Sequence, residues 1–102
     1  MPRLYPTPEE QLTDGAGRPY FLWDCEMTLR EFEAKLRSAA RPTRAYLVGK
    51  LMRQAKPDDV FRFVKTSEIL DLWPELLRYL GRKRAFWTWL LEYWGHDLPA
   101  PE

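Results

Sequence analysis

TLREFEAKLRSAA, residues 28–40, is where the chain first takes a helical period. Thr28 stands three residues before Glu31, the spacing of a capping box, in which hydroxyl and carboxylate each accept an otherwise unpaired backbone N–H. Leu29, Phe32 and Leu36 fall on one face, with Glu33, Lys35 and Arg37 elsewhere. The pattern predicts an amphipathic helix, and its apolar stripe requires a partner surface from the rest of the chain.

That surface is offered immediately downstream. Pro42 suits a first helical turn and opens PTRAYLVGKLMRQA, in which Leu47, Val48, Leu51, Met52 and Ala55 form a stripe while Arg44, Lys50, Arg53 and Gln54 look outward. Ala45 and Gly49, four residues apart, allow close approach of another helix. Gly49 weakens a helix by roughly 1 kcal/mol relative to alanine, which packing explains better than chance. KPDDVFRFV follows, with Asp58 or Asp59 as an N-cap and Val60, Phe61 and Val64 as a short apolar set, so one or two turns are expected. TSEILDLWPELLRYLG then begins at a Thr/Ser cap and stops at Gly81. Pro74 interrupts it. An interior proline costs about 3 kcal/mol, so the expected outcome is a helix ending near Leu72 and a restart with Pro74 in its first turn.

The last helix, about Lys83 to Trp94, carries RKRAFWTWLLEYWG and ends at Gly95. At 100° per residue, Phe86, Trp87, Trp89, Leu90, Leu91, Tyr93 and Trp94 span roughly 200° of circumference, where a surface helix needs about 100°. Two explanations compete for the excess. Most aromatic stripes at helical spacing are core, which favours a central helix with its Trp87/Leu91/Trp94 side on the bundle and the YFLW of residues 20–23 over its Phe86/Trp89/Tyr93 side. Otherwise that second side meets another protein, because Trp and Tyr clusters are the usual anchors of interfaces. Arg82, Lys83 and Arg84 stand at the helix start, where the macrodipole disfavours cations. Either Arg82 belongs to the loop and these side chains extend into water, or they form a cationic patch with Arg78 and Arg62 that meets an acidic surface or a phosphate backbone.

Upstream of residue 20 the composition changes. Residues 1–19 hold several prolines and TDGAGRP, which supply turns and extended backbone, with one helical turn at TPEEQL through Thr7 as cap, Pro8 first and Glu10 third. RPYFLWD reads as an extended docking segment or a lone short strand. The organisation expected is an N-terminal arm at 1–19, a helical domain at 20–95 and a flexible tail at 96–102. The fold class is all-α: a small irregular bundle of about five helices, since short loops between amphipathic helices make antiparallel neighbours.

The 102 residues suffice for one domain with a core. With 45% apolar and 30% charged residues and a net charge of +1, the composition excludes a disordered chain and gives no global attraction to nucleic acid or anionic lipid. Three or four local cations would bind nucleic acid weakly and with strong salt dependence. A lone Cys25 makes neither an internal disulfide nor a zinc site, no apolar run reaches a membrane span, and the first residues lack a secretory h-region, so the cytoplasm is expected. His96, the single histidine, lies beyond the last helix and leaves no anchored base for a triad. Asp24 and Glu26 flank Cys25, and negative neighbours disfavour the thiolate that a nucleophile needs. Asp24, Glu26 and Glu31 are read as complementing a helix N-terminus rather than holding a cation. No enzyme activity, metal or cofactor is expected.

Taken together, GRPYFLWD, AYLVGKLMRQA, DVFRFV and LWPELLRYLGRKRAFWTWLL, spread over residues 17–94, resemble a group of small bacterial proteins that accompany nucleotidyltransferase toxins of the abortive-infection type. The resemblance implies an antitoxin that binds and restrains such a toxin, and it carries no residue roles across. From surface chemistry alone the candidate partner-binding residues are Tyr20, Phe21, Trp23, Arg82, Lys83, Arg84, Trp89 and Tyr93. A small DNA-binding regulator and a helical module that self-associates as a homodimer are the rival readings.

Overall fold

A computed structural model describes residues 5–96 and 98 of the chain. The tail expected at 96–102 is therefore described only at His96 and Leu98, and the first four residues of the expected arm lie outside the described residues. The α-helices are α1 (Glu9–Leu12), α2 (Leu29–Ser38), α3 (Arg41–Gln54), α4 (Pro57–Phe63), α5 (Thr66–Leu80) and α6 (Arg84–Tyr93), with 3-10 turns at Tyr20–Leu22 and Gly81–Lys83. This is the expected small all-α bundle.

The capping box starts α2 as the spacing predicts: the Glu31 N–H donates to Thr28 Oγ1 at 3.2 Å and the Thr28 N–H to Glu31 Oε1 at 3.2 Å. Phe32 is buried, and Leu29 and Leu36 are half-buried along the same face. α3 lies at the centre, packed along α5 and touching α2, α4 and the first 3-10 turn. Its stripe of Leu47, Val48, Leu51, Met52 and Ala55 is buried as expected. Gly49 is the close-approach point: a methyl group there would stand 2.6 Å from Tyr79 Cβ on α5.

Four local expectations are corrected. α5 runs unbroken through Pro74, which faces solvent. Ile69, Leu72, Trp73, Leu76 and Leu80 are all buried on the opposite stripe. At about 1.5–3 kcal/mol for each large apolar side chain buried, that stripe outweighs the roughly 3 kcal/mol of an interior proline. The YFLW segment is a 3-10 turn, not a strand, because Phe21 turns into a cluster with Phe32 and Phe63, at ring distances of 5.3 and 5.5 Å. The N-caps of α4 and α5 are Lys56 and Lys65, so neither an aspartate nor a Thr/Ser caps by its side chain; Asp58 and Asp59 lie inside the first turn of α4, and Glu68 accepts the Lys65 N–H at 3.1 Å. Thr7 does not cap α1, since its hydroxyl is engaged by Asp59.

Lys50, expected outside, is 6% exposed and places Nζ 2.5 Å from Asp24 Oδ2. The same Asp24 carboxylate takes a longer contact from Gln54 Nε2 at 3.4 Å. The hydrogen bond from Lys50 holds the Asp24 carboxyl below its usual pKa, which opposes protonation of a half of the clasp that joins the 3-10 turn to α3. Asp24 therefore serves α3, whereas Glu31 alone of the three acids stands in the first turn of α2.

The N-terminal segment is fastened to α4. Asp59, fully buried, accepts from the Thr7 N–H and hydroxyl at 2.6 Å each and from the Tyr20 hydroxyl at 2.5 Å. Tyr20 in turn accepts the Lys56 N–H at 2.8 Å, and Arg62 donates to the Thr7 carbonyl. Burial pushes the Asp59 pKa up, but the hydrogen bonds from Thr7 and Tyr20 outweigh it and the net shift is downward. Burial and the Asp59 carboxylate together push Tyr20 up to about 12. No helix among the described residues is long and apolar enough to cross a membrane.

Candidate docking face on the last helix

The chain enters α6 through the Gly81–Lys83 3-10 turn, where Gly81 has φ +54°. Arg82 and Lys83 thus precede the helix and Arg84 is its first residue; all three are exposed. None has an ion-pair or hydrogen-bond partner among the described residues. Arg78 is exposed as well, but Arg62 is spent on Thr7 and does not join them.

From this start the helix divides its rings cleanly. Trp87 is fully buried and its indole N–H donates to the Met52 carbonyl at 2.9 Å, the partner a buried indole needs. Leu91 is fully buried, and Trp94 lies against Phe61 with ring centres 5.2 Å apart. This is the bundle-facing side that the sequence expects. The other side is not covered: Phe86 is 36% exposed, Trp89 58% and Tyr93 67%. Trp89 and Tyr93 stack on one another, centres 5.5 Å apart and planes 15° apart, and Phe86 sits 6.2 Å from Trp89.

The internal explanation for the aromatic excess is therefore corrected. Phe21 is fully buried in the opposite cluster with Phe32 and Phe63, and Tyr20 is held by Asp59, so neither can roof α6. Both are unavailable as contact anchors in this conformation. Trp23 is 71% exposed, yet among the described residues no ring contact joins it to α6. Of the eight candidates, the fold collects Arg84, Trp89 and Tyr93 on α6 and Arg82 and Lys83 on the 3-10 turn that leads into it, and leaves the other three elsewhere.

The eight candidates leave out two participants, one of which, Phe86, the sequence reading had already placed on this side. Phe86 belongs to the exposed arc that the helical wheel already described. Leu98 lines an open groove of about 870 Å³ between α5 and α6, with Trp73 and Leu77 on one wall and Ala85, Thr88 and Trp89 on the other. Its only sequence signal is an apolar residue shortly after a glycine stop. Chemically, the arrangement offers a flat stacked pair, a neighbouring apolar groove and cations at one end; no group of three or more metal-ligating side chains occurs among the described residues. No protein-family model, curated protein or solved structure matches the chain.

Proposed function

We propose that this chain is a non-catalytic protein-binding module that docks through Phe86, Trp89 and Tyr93, steered by Arg82, Lys83 and Arg84 towards an acidic surface. The observation that carries the reading is the exposed Trp89–Tyr93 stack. Aromatic side chains offer about 150–250 Å² each, so with Phe86 the exposed ring area is roughly 350 Å², the size of patch that on a monomer is often functional. The two rings hold each other in place and lose little side-chain freedom on binding, which favours them as anchors. Cations beside an apolar centre raise encounter rates and bias the choice of partner towards acidic proteins.

The partner is a nucleotidyltransferase toxin and the module its antitoxin. This part of the proposal draws on the resemblance in residues 17–94, and the non-catalytic docking face accords with restraint by contact. Co-expression with the nucleotidyltransferase encoded by the neighbouring gene tests it. The expected result is a complex that survives purification at moderate salt. A neighbour of another kind, or a chain that instead retains single-stranded nucleic acid with steep loss on added salt, overturns it.

A further inference from the structure

Two indoles of α6 and its cap face the bundle, and their N–H groups fare differently. Trp87 Nε1 donates to the Met52 carbonyl at 2.9 Å. Trp94 Nε1 is enclosed, although the ring as a whole is half-buried, and it meets no acceptor among the described residues. An enclosed N–H without an acceptor keeps the full cost of leaving water, and buried indoles usually avoid it. A phenylalanine in this place could keep the ring contact with Phe61, 5.2 Å between centres, and would carry no such cost. Pairing the N–H elsewhere regains free energy of the same order as one aromatic contact is worth, so a position of the ring away from Phe61 lies close in free energy. The backbone makes that position accessible. Trp94 is the C-cap of α6, its own backbone N–H held by the Leu90 carbonyl at 3.1 Å, and Gly95 with φ +88° turns the chain away behind it. No further turn of helix covers the ring, and rotation about its side-chain bonds alone brings it out beside Tyr93.

We propose that Trp94 is a further docking residue with two positions: in the free protein the ring lies on Phe61, and in the complex it turns out beside Tyr93 and donates its N–H to an uncharged carbonyl of the partner. The inference rests on the docking reading above and deepens it by adding a residue and the chemistry that residue recognises. The acceptor is uncharged because Glu92 and the carbonyl end of α6 both repel a carboxylate at this place. Arg84, ten residues earlier, stands about 15 Å away along the helix and attracts one. The partner surface is therefore polarised: acidic over the start of α6, apolar over the Trp89–Tyr93 stack, and carrying a backbone carbonyl or side-chain amide over the helix end. Trp94 leaves its contact with Phe61 only where that acceptor is offered, and a partner without it gains nothing from the second position.

Hydrogen exchange of the indole N–H groups, followed by NMR in heavy water on the full chain, tests the free state. Trp94 should exchange at least about 100-fold faster than Trp87, by local opening at urea concentrations that leave the fold intact. Equal protection of the two overturns the proposal. Thermal unfolding gives a second reading. Trp94→Phe removes an N–H that has no acceptor, so it should lower the melting temperature less than Trp87→Phe, which leaves the Met52 carbonyl unpaired; an equal or larger fall overturns the proposal. The complex with the nucleotidyltransferase of the neighbouring gene tests the bound state. There Trp94→Phe should weaken binding about tenfold or more, and the Trp94 indole should become protected. Trp94→Phe that binds as the wild type does overturns the proposal, and leaves the docking reading standing where the Trp89→Ala, Tyr93→Ala double variant abolishes the complex. No complex at all, or a double variant that binds unchanged, removes the docking reading and this inference with it.

Discussion

Replacing Gly49 by alanine sets two effects of opposite sign against each other, and the structure decides between them. In an exposed helix the change stabilises by about 1 kcal/mol. Here the new methyl carbon would lie 2.6 Å from Tyr79 Cβ, 3.2 Å from its Cγ and 3.3 Å from its Cδ2. Ordinary carbon contacts are about 3.5–4.0 Å, so α3 and α5 must part by roughly 1 Å. Tyr79 Cβ is fixed to the α5 backbone, and no rotamer change carries it away. Separation loosens the longest helix contact in the bundle, which places the penalty at the upper end of the roughly 1–3 kcal/mol typical of overpacking. Net destabilisation of about 1–2 kcal/mol is expected, a fall in melting temperature of roughly 5–10 °C for a domain of this size. Thermal unfolding followed by circular dichroism measures it. Tyr79→Ala removes the Cγ and Cδ2 contacts but keeps the offending Cβ, so Gly49→Ala should still destabilise in that background, whereas in Tyr79→Gly it should become stabilising. A rise in melting temperature on Gly49→Ala in the wild-type background refutes the reasoning.

Three further outcomes are expected. Thr28→Ala removes half of the capping box and should destabilise by about 1 kcal/mol in urea unfolding, with an unchanged m-value. Asp59→Asn removes the charge from three hydrogen bonds at a buried site, each worth about 1.5–3 kcal/mol; losses in such a network are not additive, so a total of about 3 kcal/mol is expected, with faster amide exchange at Thr7. The same latch sets a pH window. Asp59 has a folded pKa below its unfolded one, so its contribution is complete above about pH 4 and is lost as pH falls through the folded value. Tyr20 is raised, so its contribution is complete below about pH 10 and is lost as pH rises through about 12. Ultraviolet titration of tyrosine should show a late component near pH 12 that Tyr20→Phe abolishes.

Most of the fold was legible because periodicity reports burial directly: the stripes of α2 and α3, the glycine stop at Gly81 and the Gly49 approach are all consequences of local spacing. Where tertiary packing overrode a local preference, reading by rule failed. Pro74 stays inside α5 because the stripe around Trp73 and Leu76 outweighs it, and Phe21 pulls its segment into a 3-10 turn to reach Phe32. Long-range polar pairs were invisible. Lys50 has the look of a surface residue until Asp24, 26 positions away, is placed beside it, and Asp59 has the look of a helix cap until Thr7, 52 positions away, arrives. The docking face was half legible. A helical wheel shows that α6 carries more aromatic surface than one side of a helix can bury, but which rings stay outside depends on where Tyr20 and Phe21 go, and that is fixed by Asp59 and Phe63.

The central claim is that the Trp89–Tyr93 side of α6 is a binding surface and not part of the core. Its most direct test is the double variant Trp89→Ala with Tyr93→Ala, measured both for melting temperature and, by calorimetric titration, for affinity towards the proposed nucleotidyltransferase partner. The account predicts a melting temperature close to that of the wild type and an affinity reduced by about 100-fold or more, the loss of two anchors worth at least roughly 1.4 kcal/mol each. A variant that fails to fold, or one that folds and binds as the wild type does, contradicts it.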